Sequence, residues 1–137
     1  MDCKEYIAVG MIREERSSVS ENNTAQAMGS GSLPVYATPA MTALMEQAAA
    51  NLVEGCLPEG WTSVGVALNI VHTAATPQGL EVRAAAEVTA IDGRSIAYKV
   101  TAWDEMGIIG SGTHERVAVP AEHFLKKAEG KLTAGKI

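Results

Sequence analysis

The sequence predicts an α+β domain in which one long helix packs against an antiparallel sheet of five strands. Residues 39–55 carry apolar side chains at the 3.6-residue period of a helix, whereas four later stretches carry them at the two-residue period of strands. A polar strand precedes the helix. The 137 residues suit one domain, which we expect to span residues 1–137 with its core at about 12–120.

The composition is that of an acidic folded protein. Lys and Arg number 11 against 16 Asp and Glu, which gives a formal charge of −5. This balance argues against nucleic acid as a partner, because binding to phosphates needs a surplus of Lys and Arg on one face. The sequence has no run of about 18 apolar residues, so we expect neither a membrane span nor a membrane partner.

The cysteines and the first residues predict a cytoplasmic protein. Cys3 and Cys56 form neither a CxxC pair nor a Cys/His cluster, so we expect reduced thiols and no metal site. Residues 1–5 lack the basic and apolar segments of a secretory signal.

The N-terminal elements are short and polar. Residues 6–9 could begin a short strand, and residues 13–20 have the pattern of a polar strand that ends in turn-forming residues at 20–23. The Gly-Ser-Gly-Ser run at 29–32 predicts a flexible loop.

Thr38 and Pro39 predict the start of the long helix. Threonine can cap free backbone N–H groups, and proline suits the first helical position, where its missing N–H costs nothing. Gly55 followed by Pro58 predicts its end. The apolar stripe of this helix consists of Met41, Leu44, Met45, Ala48, Ala49, Leu52 and Val53.

Strand periodicity begins at residue 62. The pattern places Val64, Val66, Leu68 and Ile70 on one face, with Gly65, Ala67, Asn69 and Val71 on the other. Further strands are predicted at 80–91, 96–103 and 108–119, separated by turns at 92–93 and 105–107. Pro120 opens a short charged helix that runs to about Glu129.

These elements predict a curved antiparallel sheet around a single central helix, the hot-dog arrangement. The sheet must bury one face, and the helix at 39–55 is its large apolar partner. One helix covers such a sheet incompletely, and open edge strands favour pairing with a second copy. We therefore expect a homodimer and leave open whether dimers pair further.

Glu46 is the first candidate for chemistry. A carboxylate beside an apolar stripe is usually solvated at its edge, because ionised carboxylates are rarely buried without a partner. Held instead against apolar surface, Glu46 would be a stronger base and could act as a general base or nucleophile.

Thr38 and His72 are candidates at the ends of their elements. Thr38 could be a simple N-cap, or the helix start could bind an oxygen that develops negative charge, through the amides of Ala40 and Met41. His72 ends the predicted apolar strand face, where it could be structural or could transfer protons.

Gly65 and Arg116 are candidates for ligand contact. A glycine within a strand indicates a bulge, close packing or room for a ligand. Arg116, which shares a strand face with His114, could pair with Glu115 or Glu87, or hold an anionic ligand group bidentately.

Three motifs together resemble the fluoroacetyl-CoA thioesterase type of hot-dog acyl-CoA thioesterases. They are Val-Tyr-Ala-Thr at 35–38 leading to Leu-Met-Glu at 44–46, Val-His-Thr-Ala-Ala-Thr-Pro at 71–77, and Gly-Ser-Gly-Thr-His-Glu-Arg at 110–116. The resemblance, over roughly residues 33–119, implies a hot-dog dimer with a thioester substrate and no cofactor other than the coenzyme A of that substrate.

The resemblance also implies roles for five residues. The family's catalytic threonine, glutamate and histidine fall on Thr38, Glu46 and His72, and its substrate-contacting glycine and arginine fall on Gly65 and Arg116. The family's fluoroacetyl-specific enzyme has phenylalanines just before the threonine. This chain has one phenylalanine, Phe124, and small residues at 29–32, so we expect no aromatic lid and no fluoroacetyl selectivity.

The spacing of Thr38 and Glu46 adds a geometric constraint. Eight residues correspond to about 12 Å along a helix, too far for the two side chains to meet easily. Two antiparallel copies of the helix could bring Glu46 of one protomer to Thr38 of the other. Together with the thioester substrate that the resemblance implies, this predicts that a short-chain acyl-CoA is hydrolysed to free acid and CoA at the dimer interface.

Two other functions stay open on sequence alone. Hot-dog folds also host hydratases and dehydratases that use a histidine and an acid. A non-catalytic acyl-CoA-binding module, in which the three polar residues are structural, is the second alternative. The sequence also leaves open whether Glu46 attacks the thioester directly or activates water.

Overall fold

A computed structural model describes residues 1–134 and contains one antiparallel sheet of five strands in the order β1-β3-β4-β5-β2. The predicted domain boundary at residue 137 lies outside the described residues. The sheet and the long helix packed on it confirm the predicted hot-dog fold. The strands are β1 Ile12–Ser18, β2 Trp61–His72, β3 Glu81–Asp92, β4 Ser95–Asp104 and β5 Gly107–Pro120.

The sheet wraps around the long helix α2, Thr38–Glu54. All seven residues of the predicted apolar stripe are buried, and they pack against the buried face of the sheet. Alanines at positions 84, 86 and 102 are fully buried there, which allows close approach of the helix.

Shorter helices are α1 Ala25–Met28, α3 Ala121–Glu129 and α4 Lys131–Ala134. Within residues 1–134, every helix falls short of the length and apolar character that a bilayer span requires.

The start of α2 differs from the prediction by one residue. Ala37, not Thr38, occupies the N-cap position, and Pro39 is the second helical residue. Thr38 lies inside the helix, and its hydroxyl is engaged with His72 rather than with a helix amide. The predicted cap is therefore wrong.

Two N-terminal features were not predicted. Residues 6–9 do not form a strand, because the carbonyl of Cys3 accepts hydrogen bonds from the amides of Tyr6 and Ile7 and curls the chain into a 3-10 helix at Cys3–Glu5. α1 precedes the predicted loop at 29–32. It is capped by the hydroxyl of Thr24 and ends at Gly29 with φ 71°.

A β-bulge at Val66 changes which residues of β2 face the helix. Residues opposite each other on antiparallel strands project to the same face, and Gly65 pairs with buried Arg116 whereas Leu68 pairs with buried His114. Gly65 thus faces the helix before the bulge, and Leu68, Ile70 and His72 do so after it. The predicted inward placement of Val64 and outward placement of Gly65 are wrong, because the extra residue at the bulge shifts the alternation of inward and outward side chains by one position.

β2 is an edge strand with exposed apolar side chains. It pairs with β5 on one side, and in the described chain its other side has no strand. Val66, Leu68 and Val71 are 57%, 38% and 56% exposed. A long apolar edge of this kind is a surface for strand pairing.

We predict that Gly112→Ala destabilises the protein by about 1–3 kcal/mol, because a Cβ at this position would collide with backbone that cannot yield. It would meet the carbonyl oxygen of Asn69 and lie 2.7 Å from Cα of Ile70. Urea denaturation measures the loss. Gly55→Ala is the control, since a Cβ there meets nothing within 4 Å in the described chain, and it should change stability by less than about 0.5 kcal/mol. Equal stability of the two variants would contradict the strand register.

Candidate active site

Thr38 and His72 meet at the junction of α2 and β2. Thr38 is the first residue of the helix and His72 the last residue of the edge strand. The Thr38 hydroxyl lies 2.8 Å from Nδ1 of His72. The structure thus brings together two of the three predicted catalytic side chains.

The surroundings of His72 favour its neutral form. Burial lowers its pKa, with a backbone hydrogen bond at Ala74 acting in the opposite direction. Nε2 is buried and finds no hydrogen-bond partner within residues 1–134. Tyr36 packs edge-on against the imidazole, with ring centroids 6.5 Å apart. A neutral imidazole can accept a proton during a reaction.

A cavity of about 270 Å³ opens at the Thr38–His72 pair. Tyr36 is its one large aromatic wall residue among those that the structure describes. It belongs to the motif at 35–38 but was not predicted to line the site. Most other wall side chains are small. The lining residues are Ala25, Ser30, Val35, Tyr36, Thr38, His72, Thr73, Ala74 and Ala75.

The loop after His72 is fixed by buried hydrogen bonds. The amide of Thr73 donates to the carbonyl of Ile109, and the fully buried hydroxyl of Thr76 donates to the Asp104 carboxylate at 2.7 Å. The Thr76 carbonyl accepts from the amide of Tyr36. One loop therefore holds both the histidine and the aromatic wall of the cavity.

The helix start offers fewer amides than predicted. The amide of Met41 donates to the carbonyl of Ala37 inside the helix. It is therefore not available to a ligand oxygen, and the prediction for Met41 is wrong.

Glu46 belongs to a second group, in the middle of α2. Its Oε2 lies 3.3 Å from Nη1 of Arg116, and its side chain is 41% exposed. Gly65 lies directly against it, because a Cβ at residue 65 would collide with Oε2 of Glu46. Glycine at the bulge thus provides the room for the carboxylate.

Arg116 is bound on several sides within the chain. Its Nε donates to the Ser63 hydroxyl at 2.8 Å, and Nη2 donates to the Ser63 carbonyl at 3.0 Å. Nη1 also lies 3.2 Å from Nε2 of His114. The arginine therefore pairs with Glu46 and not with Glu115 or Glu87. Ser63 could be found from sequence only once the bulge is known.

Within one chain the two groups remain apart. The helix rise separates Thr38 from Glu46 by about 12 Å, and each contacts different side chains. In the described part of the chain, no three His, Cys, Asp or Glu residues form a group that could hold a metal ion.

Comparisons with known proteins agree on one family. Residues 19–122 match the family model described as fluoroacetyl-CoA-specific thioesterase. The chain is 43% identical to the fluoroacetyl-CoA thioesterase of Streptantibioticus cattleyicolor, over 74% of this chain and 73% of that protein.

Solved structures show the same similarity. A mutant of the fluoroacetyl-CoA-specific thioesterase in complex with fluoroacetate and CoA superposes with a TM-score of 0.81 at 35% identity, over 86% of this chain and 99% of that one. A hot-dog-like protein from Thermanaerovibrio acidaminovorans superposes with a TM-score of 0.87 at 28% identity, over 99% of this chain and 100% of the other.

We predict that His72 titrates below the ordinary histidine value of 6.5, because burial disfavours the imidazolium. NMR of the imidazole carbons measures this, with His72→Gln identifying the signal. Tyr36→Ala should move the midpoint upward by admitting water. The pKa of His72 is lower in the folded chain than in the unfolded chain, so the unfolded chain takes up the proton first as the pH falls. His72 therefore lowers the free energy of unfolding as the pH falls below 6.5. A midpoint at or above 6.5 would contradict the environment described.

Proposed function

This chain belongs to the family of fluoroacetyl-CoA-specific thioesterases, and from that premise we propose that Thr38, Glu46 and His72 carry its reaction. Membership makes the chain a thioester hydrolase that acts on an acyl-CoA, and it does not favour a hydratase or a mere binding module. Water and the thioester give a free acid and the thiol of CoA. The observation that carries the proposal is the Thr38–His72 hydrogen bond at the wall of a cavity.

His72 moves protons in this proposal. Its neutral imidazole is supported by burial, and its Nδ1 faces the Thr38 hydroxyl. When Glu46 is the base, His72 relays the proton of the attacking water from Glu46 to the departing sulfur of CoA. When Glu46 attacks, CoA leaves as a thiolate that solvent protonates, and His72 removes a proton from the water that hydrolyses the anhydride. Thr38 orients the substrate or the glutamate.

Glu46 supplies the carboxylate. Either it attacks the carbonyl carbon, forming an anhydride that water then hydrolyses, or it removes a proton from the attacking water. Label found in Glu46 after single-turnover hydrolysis in heavy-oxygen water would establish direct attack, because a carboxylate that only removes a proton from water exchanges no oxygen.

Gly65 and Arg116 are the proposed substrate-contacting residues. Gly65 lies beside the Glu46 carboxylate, which fills the space that a side chain would need, and its backbone N–H is proposed to polarise the thioester carbonyl. Arg116 supplies positive charge at the same place.

The active site is composite in this proposal. Thr38 and Glu46 lie on one helix but contact different groups, and β2 offers an apolar edge to a second copy. A homodimer formed across this edge would bring Glu46 of the partner subunit to the Thr38–His72 pair. Further pairing of dimers stays open.

The acyl group is proposed to be short. The cavity at Thr38 is small, and Tyr36 forms one of its walls. Residues 29–32 contain no phenylalanine that could cover it. Fluoroacetyl selectivity is therefore not proposed. The reaction uses the chain's own side chains and water, with CoA as part of the substrate.

The remaining proposals concern the chain as a whole. One sheet includes all five strands, which supports a single domain over residues 1–137. Two free cysteines, one of them fully buried, support a cytoplasmic location.

We predict that the protein releases free thiol from short acyl-CoAs and that Glu46→Gln lowers kcat by about 100-fold or more. A thiol-trapping assay over acetyl-, butyryl-, hexanoyl- and longer acyl-CoAs measures both quantities. Glu54→Gln on the same helix, whose carboxylate accepts from Thr62, is the control and should retain activity. Thiol release unaffected by Glu46→Gln would reject the proposed chemistry.

A mixed dimer tests the composite site. One chain carries Glu46→Gln and the other Thr38→Ala, each with a different affinity tag. A composite arrangement leaves one intact and one doubly damaged site, so about half of the wild-type turnover should return. Turnover no higher than that of either single-variant homodimer would show that each site is built within one chain.

A further inference from the structure

Arg116 is a buried cation whose charge must be balanced within the protein. Its side chain is 7% exposed, and a buried guanidinium without a counter-charge is strongly unfavourable. The carboxylate within 4 Å of it is that of Glu46, at 3.3 Å. The pair is asymmetric, because Glu46 is 41% exposed. The arginine is thus the fixed partner and the glutamate the accessible one.

Ser63 fixes the plane of the guanidinium. Its hydroxyl and its carbonyl accept from Nε and Nη2 of Arg116. Both residues are on the inner face of the sheet and are buried. Two parallel contacts of this kind fix both the position and the rotation of the planar group.

His114 contributes a third contact, and its tautomer is determined by its neighbours. The carbonyl of Ala67, 2.8 Å from Nδ1, can only accept, so Nδ1 carries the proton. Nη1 of Arg116 can only donate, so Nε2 of His114 carries the lone pair. Burial lowers the pKa of His114, while the Ala67 contact opposes this and Arg116 reinforces it. The neutral ring is also stacked on Tyr98, with centroids 5.6 Å apart.

The contacts around Glu46 leave its two oxygens in different environments. Oε2 lies between Nη1 of Arg116 and the backbone of Gly65. Oε1 makes no hydrogen bond or ion pair within residues 1–134. A half-turn of the carboxylate exchanges two equivalent oxygens, so one oxygen always faces Arg116 (here Oε2) while the other (here Oε1) is left for the reaction.

We propose that His114 and Ser63 are positioning residues that hold Arg116 on Oε2 of Glu46, so that Oε1 is the atom that reacts. Arg116 then serves the reaction mainly through Glu46 and only secondarily through substrate binding. This inference rests on the proposed function of Glu46. It adds His114, which has no role in the function proposed above, to the machinery.

The test separates kcat from KM in three variants. Arg116→Gln removes the cation, Arg116→Lys keeps a charge without the planar contacts, and His114→Phe keeps the ring stacked on Tyr98 but removes the acceptor. We expect Arg116→Gln to lower kcat roughly 100-fold, Arg116→Lys to lower it by a smaller factor, and His114→Phe to lower it roughly tenfold. In all three variants KM should stay within about twofold of the wild-type value. His123→Phe, on the exposed helix α3, is the matched control and should change neither constant.

The outcomes distinguish this inference from the proposed function. A rise in KM with unchanged kcat would show that Arg116 acts only through the substrate contact proposed above, which would overturn the inference while leaving Glu46 in place. Unchanged kcat in His114→Phe would remove His114 from the machinery. If Arg116→Gln fails to fold, the kcat values of Arg116→Lys and His114→Phe test the inference. Urea unfolding midpoints check that these two variants are folded. If Glu46→Gln leaves turnover unchanged, the proposed function is overturned and this inference falls with it.

Discussion

The placement of α2 across the sheet is the constraint on which the rest of the structure depends. Its buried stripe fixes the helix along its length, so Thr38 at its start and Glu46 in its middle are held at a constant separation. Thr38 contacts the end of β2, whereas Glu46 contacts Arg116 from β5. The proposed reaction needs both side chains at one thioester, and we propose that two copies of the helix supply them.

Sequence periodicity was enough to predict the fold. The apolar stripe of α2 and the alternation of the later strands follow from burial, which dominates folding energetics and leaves a regular pattern. The turns at Gly93 and Gly107 have positive φ, so glycine at these positions correctly predicted where strands end. The motif resemblance identified the family, and the structure places two of the residues that it singled out, Thr38 and His72, in contact.

The local errors have physical reasons. Alternation cannot reveal an inserted residue, so the bulge at Val66 hid the inward placement of Gly65 and Ser63. Thr38 and Pro39 suit either of two adjacent helix starts, and the Thr38–His72 hydrogen bond decides between them through a contact distant in sequence. The network of Ser63, His114, Arg116 and Glu46 joins three elements, and only tertiary structure brings them together.

A crystal structure with a non-hydrolysable acyl-CoA analogue would show whether the site is shared between two protomers. We expect the analogue's carbonyl carbon within about 3.5 Å of Oε1 of Glu46 from one protomer, or of a water held by that oxygen. The Thr38–His72 pair beside it would come from the partner subunit. An analogue bound with Thr38, His72 and Glu46 of a single chain around its carbonyl, or with Glu46 remote from it, would contradict the account.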